Sequence, residues 1–218
     1  MITRWEKWFD DDNLARDPRI LAAPPSHSAG RAAGAFLARA PGAAGRRRVL
    51  DLACGVGRDT FYLEGRGLHV VGVDAALSGV RVARRRKWER GAAAAFLAAD
   101  ARHLPFRDGA FQGVYCFGLL HEFTAPGWRD DVAAVVAEIR RLLCPGGLLA
   151  ITVLADGSAA DGSAAGEPQA GLPAVQLYTR SMFDAAMQNF QAIEIERFED
   201  VGCTNRPDYA VWYGLYEK

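Results

Sequence analysis

Hydrophobic positions along this chain fall either in short unbroken runs or in longer stretches where they recur every third or fourth residue. Short apolar runs bounded by glycine read as buried strands, and the three-to-four spacing reads as amphipathic helix. Trp5-Glu6-Lys7-Trp8-Phe9 has aromatics at helical spacing and predicts a short helix, which Asp10-Asp11-Asp12-Asn13 should break. Ser26 or Ser28 can cap a second helix running to about Ala40, where Pro41-Gly42 ends it.

From Arg48 the two patterns take turns. Residues 49–53 predict a strand, followed by a glycine turn and a helix over 59–64 that Gly65 and Gly67 stop. Strands are expected over 68–73, 94–98, 111–117 and 148–154, with helices over 77–90 and 128–143, the latter ended by Pro145-Gly146-Gly147. A helix over 179–189 and two closing strands, 192–198 and 209–216, complete the chain. Strand-helix alternation with short turns means a doubly wound α/β fold, with ligands gathering at the carboxyl ends of the parallel strands. Residues 155–171 are rich in Ala, Gly, Ser and Asp without periodicity and predict a flexible loop.

Composition narrows the choice of function. With 218 residues, half of them hydrophobic, the chain can bury the core of one domain without disulfides. A net charge of zero argues against a dedicated nucleic-acid partner. Cys54, Cys116, Cys144 and Cys203 are too scattered for a zinc or redox pair, so no metal is expected. The amino-terminal stretch lacks the apolar core of a signal peptide, and the run 148–154 is too short to span a bilayer. A cytoplasmic protein without a membrane partner is the expectation. The basic run Arg81, Arg84, Arg85, Arg86, Lys87 and Arg90 reads as a solvated helix end, with cations near the negative end of the helix dipole.

The strongest chemical signal is Val49-Leu50-Asp51-Leu52-Ala53-Cys54-Gly55-Val56-Gly57. A carboxylate lies inside a buried strand just before glycines that open a helix, and burying a carboxylate is costly unless something pairs with it. A dinucleotide would want a third glycine where Thr60 stands, and Asp51 and Asp59 flank the loop with negative charge that an anionic pyrophosphate opposes. S-adenosylmethionine carries an ammonium and a sulfonium, and carboxylates favour it. Asp74 ends the next strand 23 residues later, where a carboxylate can accept both ribose hydroxyls. Asp100 ends the third strand, in Ala99-Asp100-Ala101.

On these residues, with Phe111-Gln112 and Leu143-Cys144-Pro145-Gly146-Gly147 in the matching order, the chain from Arg48 onward resembles the class I methyltransferases that use S-adenosylmethionine. Within that family the stretch from Gly55 to Leu63 looks most like the small-molecule and tellurite-resistance type enzymes. The resemblance implies a Rossmann-like, mostly parallel seven-stranded sheet with an antiparallel last strand, preceded by amino-terminal helices. A single domain is expected over residues 1–218, with 1–45 as a helical cap.

The resemblance also implies that Asp51, Ala53, Cys54, Gly55, Gly57, Asp74, Ala75, Asp100, Ala101, Cys116 and Phe117 bind the cofactor. Asp100 would accept the adenine amino group, and the Ala101 N–H would reach the ring. Two residues depart from the family pattern. Ala53 replaces a glycine, a change expected to press mildly on the methionine end of the cofactor. Gln112 replaces an aspartate in a position read as structural.

An oxygen acceptor of high pKa needs a base, and His121, just past the fourth strand, is the candidate, with local packing as the alternative. Trp5, Trp8 and Phe9 form either a lid over the substrate or an anchor on the core. The expected activity is methyl transfer to a small-molecule acceptor that the sequence does not identify, and the oligomeric state stays open. Two rivals remain: a non-catalytic module that binds the same cofactor, and a nicotinamide-dependent oxidoreductase, which Thr60 disfavours.

Overall fold

The computed structural model describes residues 4–39, 47–156, 175–199 and 210–218. The predicted loop over 155–171 lies almost wholly outside these residues. Its first residue, Ala155, is buried and bridges Tyr178.

Four helices open the chain: α1 (Arg4–Trp8), α2 (Asp11–Arg16), α3 (Arg19–Ala22) and α4 (His27–Ala38). The acidic run does break the first helix, but it also starts the next one. Asp10 accepts the Asn13 N–H at 2.7 Å and so caps α2. Ser26 caps α4 in the same way, accepting the Ala29 N–H at 3.1 Å.

The remaining order is β1 (Arg48–Leu52), α5 (Arg58–Gly65), β2 (His69–Asp74), α6 (Leu77–Arg90), β3 (Ala95–Ala98) and β4 (Phe111–Phe117). A 3₁₀ turn (Leu120–Glu122), α7 (Trp128–Leu142), β5 (Leu143–Leu154), α8 (Arg180–Ala186), β6 (Gln191–Glu199) and β7 (Ala210–Glu217) follow. The seven strands form one sheet in the order β3-β2-β1-β4-β5-β7-β6. β1 to β5 run parallel, and β7 lies antiparallel between β5 and β6. The order reverses between β1 and β4, which opens a crevice at the carboxyl ends of these strands.

Alternation along the strands divides the core between the two faces of the sheet. Leu50, Leu52, Val114, Cys116, Leu149 and Ile151 pack with Val132, Val135 and Ile139 of α7 and Phe183 of α8. Val49, Val70, Tyr115, Leu148 and Ala150 pack with Ala29, Ala33 and Phe36 of α4 and Leu63 of α5. α4 comes close because Gly113 has no side chain. A Cβ there would stand 3.0 Å from the Phe36 ring. Gln112 proves structural in a specific way: its Oε1 accepts the Arg48 N–H at 2.9 Å, satisfying the first donor of β1.

A buried polar cluster joins α4 to the start of α5. Asp59 accepts from the Ser26 N–H (3.0 Å), the Ser26 hydroxyl (2.9 Å), the Tyr115 hydroxyl (3.2 Å) and two nitrogens of Arg58 (2.9 and 2.7 Å). Such a carboxylate tolerates burial because each oxygen has several donors. The basic face of α6 is also less solvated than its composition predicts. Arg86 is buried and donates to the Val56 and Leu21 carbonyls at 2.9 and 3.0 Å.

Ser26 acts as both helix cap and donor to Asp59, so Ser26→Ala should lower unfolding free energy by about 2–3 kcal/mol. Chemical denaturation checks this, and a loss below about 0.5 kcal/mol would mean that Asp59 is held without Ser26.

Candidate active site

A cavity of about 750 Å³ opens over the carboxyl ends of β1, β2 and β4. Its wall contains Asp51, Ala53, Cys54, Gly55, Asp74, Ala75, Asp100, Ala101, Phe117 and His121 from the sheet side, and Trp5 and Trp8 from α1 with Phe9 just after it. Thus nearly all of the predicted site residues share one space. Two do not line it. Gly57 caps α5 behind the loop, and Cys116 points into the core under α7, where burial pushes its thiol well up. In a strand, neighbours of a cavity-facing residue face the opposite way. Cys116 is the neighbour of Phe117.

The loop after β1 is held at both ends. Ala53 and Cys54 N–H groups donate to the Val73 carbonyl at 2.8 and 3.0 Å. The Gly55 N–H donates to Asp74 at 2.8 Å, and the other Asp74 oxygen accepts the Ala76 N–H at 2.8 Å. Each oxygen keeps a lone pair for a further donor. Gly55 is required for closeness: a Cβ there would meet the Phe9 ring at 3.0 Å.

Ala53 shows why the family pattern has glycine at this position. Its φ is +66°, the left-handed region that a Cβ disfavours. Beside any pressure on a ligand, the substitution therefore carries a backbone cost.

Three carboxylates behave differently. Asp51 is buried, and among the described residues its hydrogen-bond donor is the Thr60 hydroxyl at 2.5 Å. Burial, reinforced by the charge of Asp59, pushes its carboxyl up to about 7. Asp74 is raised as well, chiefly by burial, with its backbone donors opposing the shift. Asp100 is lowered by Arg102, whose guanidinium bridges Asp100 and Asp131 at 2.6 Å each. Asp59 does add negative charge at the loop, where it raises Asp51 and lines the cavity, while Ser26 and Arg58 hold its oxygens.

α1 closes one side of the cavity. Trp5 and Phe9 stack at 5.7 Å, and Trp8 meets Trp5 edge-on at 6.0 Å. Glu6, between them, accepts the Leu77 and Ser78 N–H groups at 2.6 and 3.0 Å. It caps α6, whose own N-cap, Ala76, has no side chain to do so. No local pattern in the sequence signals this, because the two partners are 71 and 72 residues apart.

The far wall is the 3₁₀ turn. The Leu154 N–H donates to His121 Nδ1 at 3.2 Å, and His121 Nε2 lies 3.5 Å from Glu122 Oε1. The Trp5 indole donates to Glu122 Oε2 at 3.3 Å, joining α1 to this turn. Glu122, Arg58 and Phe123 also line the cavity. Sequence reading passed over all three. For Glu122 the only available signal was its place beside His121.

Together, the strand order, glycine loop and strand-end carboxylates define the Rossmann-like fold seen in class I methyltransferases. Residues 50–151 match the family described as Methyltransferase domain.

Among its relatives, demethylmenaquinone methyltransferase of Thermus thermophilus is 39% identical over 125 residues, 56% of this chain and 51% of that protein. Malonyl-(acyl-carrier protein) O-methyltransferase of Pectobacterium atrosepticum is 30% identical over 140 residues, 64% of this chain and 45% of that one. The chain spans about half the length of these curated relatives. A solved structure, the 1,6-didemethyltoxoflavin-N1-methyltransferase of Burkholderia thailandensis with 1,6-didemethyltoxoflavin and S-adenosylhomocysteine, superposes with a TM-score of 0.67. It is 20% identical and covers 98% of this chain and 87% of that one, a likeness in fold.

Ala53→Gly should relieve the left-handed strain, offset by the greater freedom of glycine in the unfolded chain. A net gain of about 0.5–1 kcal/mol in unfolding free energy is expected. A melting temperature that falls in the variant would show that the methyl group is packed to advantage.

Proposed function

We propose that this protein transfers a methyl group from S-adenosylmethionine to a small, protic, flat acceptor held between α1 and the 3₁₀ turn. The observation that carries this reading is the pair Asp51 and Asp74, two raised carboxyls on adjoining strand ends that face one cavity. A cationic ligand offsets the cost of ionising them, whereas a pyrophosphate adds to it. That weighs against a nicotinamide cofactor.

Asp74 would hold the ribose hydroxyls and Asp51 would face the ammonium end. Gly55 and Ala53 would present backbone groups, and Asp100 and Ala101 would meet the adenine. The bound cofactor supplies an electrophilic methyl on a sulfonium. The chain's part is to hold the acceptor in line with that methyl and keep water away. Trp5, Trp8, Phe9, Phe117 and Phe123 suit this task, being aromatic walls that stack on flat molecules and dry the site. Both curated relatives named above are called methyltransferases, which supports catalysis over a purely binding role.

Isothermal calorimetry with S-adenosylmethionine tests the reading, and absence of binding at millimolar ligand would end it. Asp74→Ala should weaken binding by about 1–3 kcal/mol, through loss of a charged acceptor. Unchanged affinity would remove Asp74 from the cofactor site.

The sign of the pH effect follows from Asp51. Between its ordinary value and about 7, folded Asp51 keeps a proton that the unfolded chain has lost, so its contribution to stability falls as pH rises through this window. A cation bound beside Asp51 prefers it ionised. Affinity should therefore rise with pH up to about 7 and then level, and Asp51→Asn should flatten this rise. Titrations from pH 5 to 8, roughly spanning that shift, check both.

A further inference from the structure

Val56 stands between the two glycines of the loop after β1, and its side chain is buried among residues of the amino-terminal helices. It packs with Leu14 of α2 and Val82 of α6, and Phe9, Ile20 and Leu21 pack against the same cluster. The tip of the loop is thus set between α3 and α6. Apolar contact of this kind is non-directional and does not by itself fix a separation.

Arg86, one turn beyond Val82 on α6, adds direction. One guanidinium nitrogen donates to the Val56 carbonyl at 2.9 Å and another to the Leu21 carbonyl at 3.0 Å. The Phe61 ring of α5 lies beside it, 5.5 Å from ring centre to guanidinium carbon. A guanidinium is a rigid planar fork, so the loop carbonyl and the α3 carbonyl are held at one spacing. Arg86 is buried, and burial disfavours its charge. A methionine would fill comparable volume without that cost, so packing alone does not account for a cation here. The rest of the basic run has other tasks: Arg84 donates to the Phe96 carbonyl at 2.8 Å, and Arg85 faces Asp11 at 3.4 Å.

Both carbonyls belong to the cavity wall. Val56 lines the cavity beside Gly55, whose N–H is bound to Asp74. Leu21 lies between Ile20 and Ala23, which line the cavity from α3 and the residue after it. We infer that Arg86 is a positioning residue of the cofactor site, tying the glycine loop to α3 so that fixing of the loop by cofactor and seating of the amino-terminal helices are one event. This assignment rests on the reading of the cavity as an S-adenosylmethionine site. Arg86 acts through Val56 and Leu21, from behind the wall. Coupling of this kind is reciprocal: cofactor that fixes the loop steadies α3, and loosening α3 weakens cofactor by the same factor.

The test uses the full chain with S-adenosylhomocysteine and two measurements, calorimetric affinity and amide exchange with the ligand at saturation. The Leu21 and Ala22 N–H groups donate to the Pro18 carbonyl at 3.1 and 3.2 Å, so their exchange reports opening of α3. In the wild-type protein, bound ligand should slow exchange both in the loop and at these two amides. Arg86→Lys keeps the charge but replaces the fork with a point donor. It should bind the ligand about tenfold more weakly and, once saturated, show the slowing in the loop but not at Leu21 and Ala22. Val56→Ala trims the apolar half of the bridge with the guanidinium in place. It should lose part of both effects, and it decides the matter where Arg86→Lys does not fold.

Wild-type affinity in Arg86→Lys, or slowing at Leu21 and Ala22 that survives in it, would overturn the assignment. A lower melting temperature with both readouts unchanged would make Arg86 a structural residue only. Val56→Ala with wild-type affinity and wild-type slowing would also overturn the bridge, as would wild-type protein whose α3 exchange ignores bound ligand. Failure of the wild-type chain to bind S-adenosylhomocysteine would instead overturn the methyltransferase reading, and calorimetry shows that result separately.

Discussion

The carboxylate of Asp59 is the fixed point of this structure. Five donors from Ser26, Tyr115 and Arg58 converge on it, from the amino-terminal helices, the middle of the sheet and the first turn of α5. A buried charge with that many partners holds one geometry, since each alternative leaves donors or the carboxylate unpaired at a cost of several kcal/mol. Its position fixes where α5 begins, and α5 begins where the glycine loop ends. The same interaction sets the entry of α4, and the amino-terminal segment that closes the cavity precedes α4 directly.

Two consequences reach the site. With the donors of Ser26, Tyr115 and Arg58 taken by Asp59, Asp51 is left in the sheet with a hydroxyl donor, and its raised carboxyl follows from burial and from the charge of Asp59 nearby. The loop must also pass from β1 to α5 within a few residues, between the Val73 carbonyl and Asp74, and this holds Ala53 in the left-handed region. Strain and an unneutralised carboxyl occur side by side at the place where a cation would be received. Such local violations gather at functional sites because the surrounding structure over-determines them.

The amino-terminal helices are tied to the rest by contacts that a flat reading of their sequence would not rank highly. Glu6 caps α6, Trp5 reaches Glu122, and Phe9 fills the space that Gly55 leaves. All three tie α1 to walls of the cavity, so the segment that closes the site also completes it. Fold alone does not assign chemistry. The acidic cavity, the aromatic walls and the Glu122 turn are the features that narrow what this fold can do here.

The sequence by itself determined the strands and helices of the sheet, the strand-end placement of Asp51, Asp74 and Asp100, and the glycine loop. Each is written in local periodicity or in residues adjacent along the chain, so the physics that decides them acts over a few residues. Only the tertiary structure decided which way the side chains turned. Asp59 and Asp51 lie eight residues apart with the same chemistry, yet one meets five donors and the other a hydroxyl, because their partners come from other elements. Cys116 and Phe117 are neighbours, and the pleat alone sends one to the core and the other to the cavity. His121 stands just past the fourth strand in the sequence, but only the fold brings the Leu154 N–H, 33 residues on, to its Nδ1. Hydrogen-bond direction and burial belong to groups distant in sequence, and no local pattern encodes them.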